Sequence, residues 1–141
     1  MKTRIDLMHV NPGVVRAMLG LEQQVRQAGF DQKLLNLVRM RASQINGCAY
    51  CLDMHSKDTR ANGETEQRLY GLDAWREAPY YSARERAALE WTEALTLVSE
   101  TRVPDEVYER VREQFPENEL VHLSLAIVSI TDNAIYKISH K

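Results

Sequence analysis

The chain has only two cysteines in 141 residues, and few glycines and prolines, at six and four. Two cysteines are too few for a disulfide scaffold, and so little Gly and Pro excludes a collagen-like or low-complexity chain. Lys and Arg form no dense run and the charges nearly cancel, at net −2. That pattern argues against a nucleic-acid or anionic-membrane footprint. No apolar run approaches the roughly 18 residues of a membrane span. Nothing in the first thirty residues reads as a secretory leader, because "MKTRIDLMHVNPGVV" carries early charge and an Asp and a Pro-Gly that break any apolar stretch. The expectation is a cytoplasmic protein of one domain spanning 1–141, with no internal repeat and a core of ordinary size.

What is present is helical periodicity almost throughout. Asn11 can cap a helix with Pro12 at its first position, its apolar face given by Val14, Val15, Met18, Leu19 and Val25 and its end by Gly29. Asp31 caps a second helix with Leu34, Leu35, Val38, Ala42 and Ile45 on one side, until Asn46 and Gly47 break the chain. The cysteine segment follows as a third helix, closed by "ANG" at 61–63, and a shorter helix covers 64–72. Pro79 makes "DAWREAPYY" a loop, or a loop with one turn of helix. The capping box "SARE" at 82–85 opens a helix expected to run through Val98, and Pro104 starts another that buries Val107, Val111 and Phe115. The last helix begins near Pro116 and is apolar from Leu120 to Ile130, which reads as a subunit interface or as the central helix of the core. No segment alternates as a strand does. The fold class is all-α, with about seven helices by this periodicity. Arg39 and Arg41, the nearest approach to a basic cluster, read as solvated helix surface.

Both cysteines fall in one stretch, "NGCAYCLDMHSKD" at 46–58. Residues three and four apart share a helix face, so Cys48, Cys51 and His55 lie on one stripe that Asp58 continues. An imidazole one turn from a thiol can take its proton, and a second sulfur can close a disulfide on an oxidised first sulfur. Two physical cues disagree on the nucleophile. The helix N-terminus lies closest to Cys48 and lowers its pKa, whereas His55 is nearer Cys51. Zinc is a rival reading, since Cys, Cys and His are good ligands, but a structural site wants a fourth that only the fold can recruit from His9, His122 or Asp58. His122 in its apolar helix reads as a core residue, and His140 lies in the tail. Trp75 and Trp91 read as packing residues, and Tyr50, between the cysteines, is placed to bring its phenol near the sulfurs.

The "INGCAYC…H" centre, supported independently by "WRE…ERAALEWTEALT", resembles the carboxymuconolactone decarboxylase superfamily in its AhpD-like alkylhydroperoxidase branch. The resemblance runs from about Asn11 to the last helix. It implies an all-helical bundle that assembles as a homotrimer or homohexamer. It also implies a peroxidase that reduces alkyl or hydrogen peroxides through a dithiol–disulfide cycle, without metal, flavin or haem. By position, Cys51 would be the peroxidatic cysteine, Cys48 the resolving one, His55 the proton relay, and Tyr50 the relay position held by Tyr or His in the family. Electrons would come from a dithiol donor, such as a lipoylated or thioredoxin-like protein. A redox sensor or thiol–disulfide exchange protein is the alternative. True decarboxylases of the superfamily generally lack the cysteine pair. Two departures stand out. The relay glutamate expected twelve residues before the first cysteine is Asn36 here, and asparagine cannot exchange a proton at neutral pH. "SITDNAIYK" stands where relatives often carry an Asn-Trp-Asn-Arg type of sequence.

Overall fold

Local capping chemistry sets the helix boundaries in a computed structural model that describes residues 3–131 and Ser139. Asp6 accepts the His9 N–H (3.1 Å) and opens a single turn, α1 (Leu7–Val10). Asn11 accepts the Val14 N–H (3.3 Å) at the head of α2 (Pro12–Gln27), with Pro12 in the first turn, where its missing N–H costs nothing. Asp31 does the same for α3 (Gln32–Ile45) through the Lys33 N–H (3.2 Å). The cysteine segment forms α4 (Ala49–Ala61), followed by α5 (Glu66–Tyr70) and a 3-10 turn (Gly71–Ala74). Ser82 and Glu85 complete their capping box at the start of α6 (Ala83–Thr96). Then come α7 (Val98–Thr101), α8 (Asp105–Arg112) and α9 (Glu117–Thr131).

The helix count is nine among the described residues, with no strand, against the seven expected. The two additions are α1 and α7, each a single turn too short to show a period. The helix expected to run through Val98 stops at Leu97 (φ −103°, ψ 33°). Thr101 Oγ1 donates to the Ala94 carbonyl (2.7 Å), and the chain leaves through two left-handed residues, Arg102 and Val103. "SITDNAIYK" beyond Thr131 and His140 lie outside the described residues. No described helix is long and apolar enough to cross a membrane.

The core is organised around α3. Five consecutive residues, Leu34 to Val38, are buried there, a run that only a helix surrounded on most sides can tolerate. Leu34 and Val38 join Trp91, Phe115 and Leu123 in one apolar cluster, and Leu37 and Met40 join Leu72, Trp75 and Leu89 in a second. Leu35 meets Val25 and Ala126 in a third. Each buried Leu contributes about 1.5–3 kcal/mol relative to exposure. The central position thus belongs to α3 and not to the more apolar α9, whose Val121 and Val128 are exposed. Trp75 and Trp91 are buried as expected.

Arg39 and Arg41 are not solvated surface. Their side chains are only 13% and 12% exposed, because carboxylates from other elements reach them: Glu22 for Arg39, and Glu93 and Asp73 for Arg41. Glu93 is the hub of the second set. It accepts from Arg41 Nε (3.0 Å), Trp75 Nε1 (2.8 Å) and Arg76, tying α3 and the loop after α5 to α6. Burial alone would raise the Glu93 pKa, but the hydrogen bonds from Trp75, Arg76 and Arg41 outweigh it and hold it below the ordinary carboxylate value. A folded-state pKa below the unfolded one means stabilisation that is complete above the unfolded value and lost as pH falls through the folded value. Glu93→Gln is therefore expected to lower stability at pH 7 by about 2–3 kcal/mol, the scale of charge-assisted hydrogen bonds. Chemical denaturation at a series of pH values will show this deficit shrinking as the medium becomes acidic; a deficit that persists unchanged contradicts the assignment.

Candidate active site

The junction between α3 and α4 is built from one left-handed glycine. Gly47 has φ +56° and donates to the Gln44 carbonyl (3.1 Å), while Cys48 N–H donates to Ser43 (3.2 Å). These two bonds form the Schellman closure that ends a helix and satisfies its last carbonyls. Cys48 is thus fixed to the end of α3 by its backbone. It is also the N-cap of α4, with extended φ/ψ and its Sγ accepting the Cys51 N–H (3.4 Å). The same closure recurs at the far end, where Gly63 (φ +85°) donates to Arg60 and Glu64 to Thr59. Local chemistry bounds the helix that carries the motif at both ends.

Cys48 and Cys51 are joined as a disulfide with Cα atoms 5.3 Å apart, inside the usual span for such a bond. Cys48 precedes the helix instead of lying within it, so it does not continue the helical stripe; Cys51 and His55 do, one turn apart on α4. Both cysteines are buried, His55 is half-buried, and Tyr50 is exposed on the first turn. Asn36 is buried on α3, where its Oδ1 accepts from Gln32 Nε2 (2.9 Å) and its Nδ2 finds no hydrogen-bond partner among the described residues. No group of three or more His, Cys, Asp and Glu side chains suited to hold a metal occurs among the described residues, so the cysteine pair gains no third and fourth zinc ligand there.

A cavity of about 270 Å³ opens beside His55. Its apolar wall comes from Val15, Met18 and Leu19 of α2, Met54 of α4 and Ile130 of α9, and neither sulfur reaches that wall. Its polar wall comes from Glu22 and Arg26 of α2, Arg39 of α3, and His55 and Asp58 of α4. Arg39 donates to Glu22 across the gap between α2 and α3. Burial and the Arg39 charge lower the His55 pKa below its ordinary value, opposed by the negative charges of Asp58 and Glu22. His55 is therefore biased towards the neutral imidazole, the form that can accept a proton.

The cysteines, His55 and Asp58 could be read from spacing; Glu22 and Arg39 could not be assigned to the site. One signal was available. Glu22 stands seven residues after Val15, three after Leu19 and four after Met18, so it interrupts an otherwise apolar stripe on α2.

The geometry leads to a redox expectation. After reduction and mild reoxidation, Cys48 and Cys51 will lose two alkylatable thiols per chain, read by intact mass, with no covalent dimer. Full alkylation after oxidant, or a disulfide-linked dimer, contradicts the pairing.

Comparison with known proteins bears on the family and the fold. Residues 12–94 match the carboxymuconolactone decarboxylase family. The uncharacterized protein YdfG of Bacillus subtilis (strain 168) is 44% identical over 130 residues, which is 92% of this chain and 88% of YdfG. The uncharacterized protein YnjA of Escherichia coli (strain K12) is 28% identical over 102 residues, 72% of this chain and 56% of YnjA. Among solved structures, ATU0492 of Agrobacterium tumefaciens superposes with a TM-score of 0.91 at 37% identity, over 99% of both chains. That protein is described as of unknown function and proposed as the antioxidant defence protein AhpD. The debrominase Bmp8 shares the fold, with a TM-score of 0.77 at 19% identity over 95% of this chain and 74% of Bmp8. The chain belongs to the carboxymuconolactone decarboxylase family and has the AhpD-like all-helical fold.

Proposed function

We propose that the protein is a thiol peroxidase of the alkylhydroperoxidase type, acting as one domain, with Cys51 as the peroxidatic residue, Cys48 as the resolving one and His55 as the proton carrier. The observation that carries this reading is the pairing of Cys48 with Cys51 one helical turn from a half-buried, neutral-biased His55. The likeness to ATU0492, proposed for antioxidant defence, supports it. In the first step His55 takes the Cys51 proton, and the thiolate attacks the terminal oxygen of a hydroperoxide. The O–O bond breaks, Cys51 becomes a sulfenic acid, and the leaving alkoxide receives the proton from His55. In the second step the Cys48 thiolate attacks the Cys51 sulfur, the S–S bond forms, and hydroxide leaves and is protonated to water. A dithiol donor, lipoylated or thioredoxin-like, then reduces the disulfide and is itself oxidised to one.

The two cues that disagreed on the nucleophile then serve different steps. The N-cap position and the Cys51 N–H favour a thiolate at Cys48, which is what resolution needs. The imidazole one turn on serves Cys51, which is what peroxide attack needs. Tyr50, exposed beside the pair, would take the relay position held by Tyr or His in the family.

A second reading is favoured by one observation: both sulfurs are buried and away from the cavity wall, with Asn36 where the family's acid is expected. In that reading the same disulfide forms slowly and signals redox state without turnover. Steady-state reduction of cumene hydroperoxide with dihydrolipoate separates the two. Wild type is expected to turn over and Cys51→Ser to lose all activity; equal rates sink the peroxidase reading. Asn36→Glu is expected to raise the rate, by much less than the about 10²–10⁴-fold of an adapted acid–base group.

Assembly belongs to the same proposal. Met8, Val10 and Leu19 on α1 and α2, with Val121 and Val128 on α9, leave large apolar side chains exposed on elements that pack together. A cytoplasmic homotrimer or homohexamer would cover them. Light scattering at micromolar concentration is expected to give three or six chains, and a monomer contradicts this.

A further inference from the structure

The site lacks the expected acid at Asn36, yet the cavity beside His55 contains an acid that neither the spacing of the motif nor the family pattern assigns. Glu22 lies on α2, 26 residues before Cys48, and reaches the same cavity from the opposite side. It accepts from Arg39, which stands three residues after Asn36 and therefore on the same face of α3. We infer that Glu22 and Arg39 form a positioning pair for His55, in which Glu22 supplies through space the negative charge that Asn36 withholds. The inference rests on the reading of His55 as the base for Cys51.

The effect is one of charge balance in a confined space. Among the described residues the charged groups that line the cavity are Glu22 and Arg26 from α2, Arg39 from α3 and Asp58 from α4, with α9 contributing the uncharged Ser129 and Ile130. Arg26 is largely solvated at 76% side-chain exposure, so water screens it. Arg39 is not screened in that way, at 13%. Left alone, its guanidinium would oppose a proton on His55, and so oppose the thiolate–imidazolium pair that peroxide attack requires. Asp58, from the same helix as His55, and Glu22, hydrogen-bonded to that same guanidinium, both oppose its field at His55, Asp58 the more strongly. Glu22 is a positioning residue that acts on His55 through its charge. Its role is to set how readily His55 accepts a proton.

Such a pair has a signature that a purely structural ion pair lacks. Removing one sign of charge and removing the other must move His55 in opposite directions. The experiment follows the His55 ring proton by NMR through a pH titration of the reduced protein, with the resonance assigned by its loss in His55→Gln. Glu22→Gln is expected to lower the His55 pKa by about half a pH unit or more, within reach of the shifts that nearby charges produce. Arg39→Gln is expected to raise it, and the double variant to lie between the two single variants. Glu22→Asp and Arg39→Lys keep the charges and are expected to restore the wild-type titration, which guards against a variant that merely folds poorly. The rate of Cys51 alkylation in reduced protein is expected to fall in Glu22→Gln, with its pH profile displaced upward. Shifts of the same sign in the two single variants, or an unmoved His55, overturn the inference. Neither readout requires turnover. Opposite shifts in a protein that reduces no peroxide would support the pair while the peroxidase reading failed.

Discussion

Gly47 must adopt a left-handed conformation for α3 to end where it does, and the placement of both cysteines follows from that turn. The closure makes Cys48 serve two helices at once: its N–H completes the end of α3, and its sulfur caps the start of α4. A Cβ at residue 47 would meet no atom within 4 Å among the described residues beyond its chain neighbours, so the constraint there is backbone conformation and not space. A non-glycine residue forced into that region costs about 1–2 kcal/mol. The spacing to Cys51 is then set by a single helical turn, and His55 by the next. Few other arrangements give two sulfurs within bonding reach and one imidazole with so little freedom left in the backbone.

Polar groups inside this helical bundle divide into those that hold it and those that bias its chemistry. Glu93, with Arg41, Arg76 and Trp75, holds the loop after α5 against α6, and no cavity residue takes part in it. Glu22 and Arg39 are the same kinds of side chain, with Arg39 as buried as Arg41, yet they face a cavity that contains His55. Burial of α3 explains why both arginines needed partners. A helix with five consecutive buried residues leaves its flanking arginines little water, and an unpaired guanidinium there would be expensive.

Much of this was legible in the sequence, for reasons that are local. Asn11 with Pro12, Asp31, Gly47 and the Ser82–Glu85 box act on their own neighbours, so helix ends could be placed from them. The disulfide partners were legible because they are three residues apart. What was not legible depends on distant partners. Arg39 meets Glu22 across 17 residues and Arg41 meets Glu93 across 52, and no local pattern distinguishes such arginines from surface ones. The break at Leu97 depends on Thr101 taking the Ala94 carbonyl, a bond that composition does not announce. The apolar content of α9 points away from α3, whose charged residues lower its average although more of its described residues are buried.

The central claim is that the imidazole-paired Cys51, and not the helix-capping Cys48, attacks peroxide. Sulfenic acid trapping decides it directly. Reduced Cys48→Ser and Cys51→Ser proteins, each given one equivalent of cumene hydroperoxide with dimedone present, are digested and read by peptide mass spectrometry. The account predicts a dimedone adduct on Cys51 in Cys48→Ser and an unlabelled Cys48 in Cys51→Ser. An adduct on Cys48 in Cys51→Ser, with Cys51 unlabelled in Cys48→Ser, would contradict it.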